Sequence, residues 1–97
     1  MNIDDKDLKI IHKILKDYAE EHSVWAFGSR VHGKNLKKYS DLDLALVSNT
    51  SIDIDMLSQL KSQFSASDLP FKVDVVDFFS VSDEFKKIIE ESYERIK

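Results

Sequence analysis

Apolar residues recur at three- and four-residue spacing through the first part of the chain. Leu8, Ile11, Leu15 and Tyr18, widened by Ile14, predict an amphipathic helix from Asp4 to Glu21. Asp4, Asp5 and Asp7 crowd its first turn, where the helix dipole favours negative charge. The period then changes. Val24-Trp25-Ala26-Phe27 reads as a short buried strand that stops at Gly28-Ser29. A polar stretch follows from Arg30 to Ser40, containing Gly33 and the basic residues Arg30, Lys34, Lys37 and Lys38. From Asp41 to Val47 the pattern has period two: Leu42, Leu44 and Leu46 share one face, Asp41, Asp43 and Ala45 the other. Helical spacing returns from Asp53 to Phe64, with Ile54, Leu57, Leu60, Lys61 and Phe64 on one side. After a turn at Ser67-Asp68-Leu69-Pro70, a third strand runs from Phe71 to Asp77. Phe71, Val73 and Val75 occupy one of its faces, and Lys72, Asp74 and Val76 the other. Ser80 or Ser82 caps a last helix predicted to reach Ile96, with Phe85, Ile88, Ile89 and Tyr93 as its stripe. The order α-β-β-α-β-α places helices on one small mixed sheet, an α/β (α+β) class of fold.

Composition narrows the functional classes. Ninety-seven residues make one domain, 1–97, with no repeat or linker. With 42% apolar and 33% charged residues the chain is neither disordered nor membrane-embedded. No apolar run approaches the roughly 20 residues of a membrane span, and Met1-Asn2-Ile3-Asp4-Asp5 does not resemble a signal peptide. The absence of cysteine removes disulfides, thiolate metal sites and cysteine nucleophiles, and agrees with a cytoplasmic location. A net charge of −4 argues against direct nucleic-acid binding, which needs a basic surface.

Three features carry chemistry. Gly28-Ser29 ends a strand, where a glycine lets backbone amides approach phosphate oxygens and a hydroxyl adds a donor. Asp41 and Asp43 project from one face of their strand. Two carboxylates that close are tolerated when solvated or when a cation lies between them, and an all-oxygen set suits Mg²⁺ or Mn²⁺. Asp74 interrupts an apolar strand, where aspartate is disfavoured. It either pairs with a cation such as Lys72 or, if Phe71, Val73 and Val75 face the core, points with Asp41 and Asp43. Taken together, the three features describe a site for a nucleoside triphosphate and one or two divalent ions. Other candidates are weaker. His12 and His22 read as solvent-facing and His32 as a loop residue. Trp25 and Phe27 read as core rather than base-stacking. Ser29 lacks the histidine and acid that would make it a nucleophile.

Read as a unit, Ala26-Phe27-Gly28-Ser29-Arg30-Val31-His32-Gly33 followed by Tyr39-Ser40-Asp41-Leu42-Asp43-Leu44-Ala45 resembles the signature of the polymerase-beta-like nucleotidyltransferases. More narrowly it resembles the minimal nucleotidyltransferases (MNT type) that accompany HEPN-type proteins. The resemblance implies that Gly28 and Ser29 bind nucleotide phosphates, with Arg30 as a further contact. It also implies that Asp41, Asp43 and Asp74 are the catalytic, Mg²⁺-binding carboxylates. It further implies AMP transfer from ATP to a tyrosine hydroxyl of a small helical HEPN-type toxin, with this chain as the antitoxin. A homodimer inside a larger hetero-oligomer would be compatible with that role. The alternative is a non-catalytic module that binds nucleotide, or neutralises its partner by contact alone. One departure stands out: eleven residues, Arg30 to Ser40, separate Ser29 from Asp41, where the family usually has ten.

Overall fold

The computed structural model describes residues 1–97 as four strands and four helices. They follow the order α1 (Asp5–Tyr18), β1 (Ser23–Phe27), α2 (Ser29–His32), β2 (Leu42–Val47), α3 (Ile54–Ser65), β3 (Val73–Asp77), α4 (Asp83–Glu91) and β4 (Tyr93–Arg95). The sheet runs β3-β2-β1-β4. β1 is antiparallel to both β2 and β4, whereas β2 and β3 are parallel, joined by α3 as a crossover.

The period-two reading of β2 and β3 holds. Leu42, Leu44 and Leu46 are fully buried with Val24, Ala26 and Val75 on one face of the sheet. Ile11 and Leu15 of α1 and Leu60 and Phe64 of α3 close over them as one apolar cluster. Two helix starts are fixed by side-chain caps: Asp53 accepts the Asp55 amide at 3.0 Å, and Ser82 accepts the Phe85 amide at 3.2 Å. Ser80 is not the cap of α4; its hydroxyl donates to Asp77 Oδ2 at 2.8 Å. The same Oδ2 accepts the Ile52 amide, and Oδ1 the Phe79 amide. Asp77 thereby ties the end of β3 to the segment that leads into α3.

Three expectations require correction. The last helix does not reach Ile96: it ends at Glu91, where Ser92 turns extended, and Tyr93–Arg95 form the edge strand β4. Phe27 pairs with Tyr93 and Trp25 with Arg95, and the Tyr93 ring stacks on Trp25 at 4.1 Å. A tertiary pairing overrides local helical preference here. Ile54 and Ile88, placed on apolar stripes, are 78% and 59% exposed. The polar stretch after Gly28 opens with a helical turn, α2, which closes at Gly33 in the left-handed conformation. The second sheet face also carries a small apolar cluster of Phe27, Ala45 and Ile89, which seats α4.

Leu44 sits fully buried at the centre of the main cluster. Leu44→Ala should lower unfolding stability by about 3 kcal/mol in urea titrations, a large share of a small domain's margin.

Candidate functional site

The site is assembled at one end of the sheet by strand register. Parallel pairing sets Asp43 of β2 opposite Asp74 of β3, and antiparallel pairing sets it opposite Phe27 of β1. Gly28 follows Phe27 directly, so the turn that ends β1 passes over Asp43. The contact is close enough that a β-carbon on Gly28 would collide with Asp43 Oδ2 and lie 3.3 Å from its Cγ. Gly28 also adopts φ 80°, ψ −161°, a region essentially restricted to glycine. Two independent constraints thus require glycine at this position.

Gly28 begins α2. Its carbonyl accepts the amides of Val31 at 3.0 Å and His32 at 3.1 Å. The Ser29 and Arg30 amides, as the first of a helix, have no carbonyl of their own helix to bond. They follow directly on the Gly28 turn that passes over Asp43. His32 and Lys34 line an open cleft of about 470 Å³ with Phe27, Gly28, Ile88, Glu91 and Ser92. His32 Nδ1 accepts the Lys34 amide at 2.9 Å, which leaves Nε2 as the donor. A second cleft of about 550 Å³ holds Asp43 and Asp74 beside Lys61, Lys72 and Phe85. Phe27 borders both, so the two clefts meet at the Gly28–Asp43 contact.

The electrostatics centre on Asp43. Its carboxyl is pushed up from 3.8 to about 6, first by burial, then by the charge of Asp74 and then by that of Asp41. Asp41 itself is exposed just ahead of β2, and Asp74 is 41% exposed with Lys72 Nζ at 3.4 Å. Both readings of Asp74 hold together: it pairs with Lys72 and also faces Asp43. The three carboxylates do not close into a ready-made cage, since no group of three acidic or imidazole side chains is near enough to hold an ion unaided. The donor set nevertheless fits Mg²⁺. It is all oxygen, its mutual repulsion is felt at Asp43, and Mg²⁺ commonly takes one or two carboxylates and completes its shell with substrate phosphates.

Arg30 departs from its sequence-based role. It is buried, 6% exposed, and lines neither of these two clefts but a third, of about 340 Å³, with Asn2, Lys38 and Phe71. It donates to the carbonyls of Asn2 at 2.8 Å, Ser40 at 2.8 Å and Lys38 at 3.1 Å, and lies 4.0 Å from the centroid of the Phe71 ring. Those partners lie up to 41 positions away and are mostly backbone atoms, which no motif would reveal. Trp25 and Phe27 are packed against Phe78, Tyr93 and Phe85, as core residues.

Comparison with known proteins agrees with the fold. The family described as polymerase beta, nucleotidyltransferase matches residues 9–97. A probable protein adenylyltransferase, MntA, from Haemophilus influenzae is 45% identical over 93 residues, covering 96% of this chain and 81% of the relative. Among solved structures, a toxin-antitoxin complex with AMP-PNP aligns at a TM-score of 0.73 and 25% identity, over 93% of this chain and 72% of the matched one. A tri-AMPylated Shewanella oneidensis HEPN toxin in complex with an MNT antitoxin shares the fold at a TM-score of 0.67 and 23% identity, over 95% and 70%.

Two outcomes follow from the geometry. Gly28→Ala should leave the chain folded but displace Asp43 or the turn, and should abolish nucleotide binding measured by calorimetry. Asp43→Asn should respond to pH. A carboxyl raised in the folded state lends stability that is complete below about pH 4 and lost as pH rises through about 6. Without metal, the asparagine variant should therefore exceed wild type at pH 7.5 by about 1 kcal/mol, allowing for solvent screening of a half-buried group. At pH 4 the two should converge in thermal unfolding.

Proposed function

The chain belongs to the polymerase beta nucleotidyltransferase family, and from that premise we propose that it transfers AMP from ATP to a tyrosine hydroxyl of a HEPN-type toxin, as that toxin's antitoxin. The observation that carries the proposal is the contact of the Gly28 turn with Asp43, itself in register with Asp74. It juxtaposes phosphate donors and carboxylates as transfer from a triphosphate requires. The 45% identity to a probable protein adenylyltransferase supports protein as the acceptor class.

In this reading the Ser29 hydroxyl and the first amides of α2 hold the β- and γ-phosphates. Asp41 and Asp43 would hold Mg²⁺, with Asp74 completing the set. Bound there, the ion would offset phosphate charge and favour departure of pyrophosphate. The acceptor oxygen forms its bond to the α-phosphorus as the bond to the bridging oxygen of pyrophosphate breaks. The acceptor's proton passes to the Asp74 carboxylate, which lies on the side of the site away from Gly28. No covalent intermediate on the protein is needed, and the chain acts by positioning and by relieving charge. The two clefts, of about 470 and 550 Å³, are open to solvent. That shape suits an acceptor presented on another protein's surface.

Incubation with ATP, Mg²⁺ and the HEPN-type partner should raise the partner's intact mass by one or more AMP units. The double variant Asp41→Asn/Asp43→Asn should give no increase. A stable complex with no mass gain from wild type would instead make this a module that acts by contact alone.

A further inference from the structure

Arg30 makes more tertiary hydrogen bonds than any other side chain in the molecule, and none of them is to a charged group. A buried cation without an ionic partner is costly, and a purely structural role would be met more cheaply by an apolar residue. What only a guanidinium provides is a rigid fork that bonds several carbonyls at once and also stacks on a ring. The identity of those partners decides what the fork is for.

Two contacts of Arg30 reach the segments that carry the site carboxylates. Arg30 itself follows Ser29. Its Nε donates to Ser40, the residue before Asp41. Its planar face rests on Phe71, three residues ahead of Asp74 and one before Lys72, whose carbonyl accepts the Leu42 amide at 2.9 Å. Its other donors go to Lys38, within the long segment between the two motifs, and to Asn2. Asn2 in turn donates its backbone and side-chain amides to the Arg30 carbonyl, at 2.7 and 3.0 Å. The intervening segment needs such a tie. It contains Gly33 at φ 77° and Asn35 at φ 57°, and from Gly33 to Asp41 it forms no helix or strand.

We infer that Arg30 is a positioning residue that fixes the distance between the phosphate-holding turn at Ser29 and the carboxylates Asp41 and Asp74. The inference rests on the transfer reading above, and assigns Arg30 no contact with nucleotide. Catalytic groups misplaced by about 1 Å can lose about a hundredfold in rate, so a single brace across three segments acts on the chemical step.

Three variants test it: Arg30→Lys, Arg30→Met and Phe71→Leu. The last removes the ring under the guanidinium while keeping Arg30, and remains informative if the Arg30 variants fold poorly. Positioning predicts that Lys, though it keeps the charge, performs as poorly as Met. Both should lose about 10- to 100-fold in kcat, with KM for ATP changed less than about threefold. Phe71→Leu should lose about threefold in kcat. Amide hydrogen exchange of residues 38–42 should accelerate in all three while β1 and α1 stay protected, and Mn²⁺ affinity should fall in parallel. The inference is overturned if Arg30→Lys restores activity and Arg30→Met raises KM alone, as for a phosphate contact. It is equally overturned if exchange at 38–42 and kcat are unchanged. Exchange and Mn²⁺ affinity need no acceptor, so absence of transfer by the wild-type chain would overturn the functional reading, with the brace judged on those two readouts.

Discussion

Parallel pairing of β2 with β3 sets Asp43 against Asp74, and that placement of like charges organises the rest of the site. Such a pair is unfavourable in a bare chain, and burial makes it more so, which is why the Asp43 carboxyl is held up near 6. The arrangement persists because neither aspartate chooses its own position. Leu42, Leu44 and Leu46 must face α1 and α3, and Val75 must join them. A one-residue slip of either strand would turn those side chains to solvent. Apolar burial therefore dictates which face the carboxylates occupy, and the electrostatic cost is borne at the site as a standing affinity for positive charge.

That logic explains what could be read from sequence. The side on which Asp41, Asp43 and Asp74 lie follows from parity once the leucines are assigned to the core, and parity is a local property. The features that were not legible depend on distant partners. Tyr93-Glu94-Arg95 does not read as a strand from its composition; it becomes an exposed edge strand because β1 offers a free edge and Trp25 a ring to stack on. Its charged residues suit an edge position. Phe27 and Ala45 gave no sign that the site face also has an apolar floor, which exists only because Ile89 of α4 reaches it. Arg30 sits in the motif stretch and reads as a phosphate contact, yet its donors meet carbonyls of two separate segments and its face meets the Phe71 ring of a third.

The glycine at the end of β1 turns this sheet edge into a site. Gly28 is required both by its backbone angles and by the closeness of Asp43, so the amides that follow it start beside a carboxylate. The proposed phosphate donors and metal ligands are thus adjacent without any loop having to fold between them. Phe27, directly before the glycine, is buried against Phe85 and Ile89. A rigid aromatic anchor on one side and the short helix α2 on the other leave the turn little freedom. The site positions are therefore held by strands and packed rings, and only Gly28 and Asp41 lie outside a regular element.

The exposure of Asp41 and the lack of a closed three-carboxylate cage fit one scheme. A cage complete in the protein would hold an ion without nucleotide and leave few coordination positions for phosphate oxygens. Under the proposed transfer, an incomplete set would give the ion full coordination only when the triphosphate supplies the missing oxygens, and metal and nucleotide would bind as a linked pair. The raised Asp43 carboxyl would act in the same direction, because a proton and a cation held there would compete for it. An enzyme whose acceptor arrives on a protein surface gains from this linkage. Under the proposed transfer, the reactive arrangement would be complete only while a triphosphate is bound.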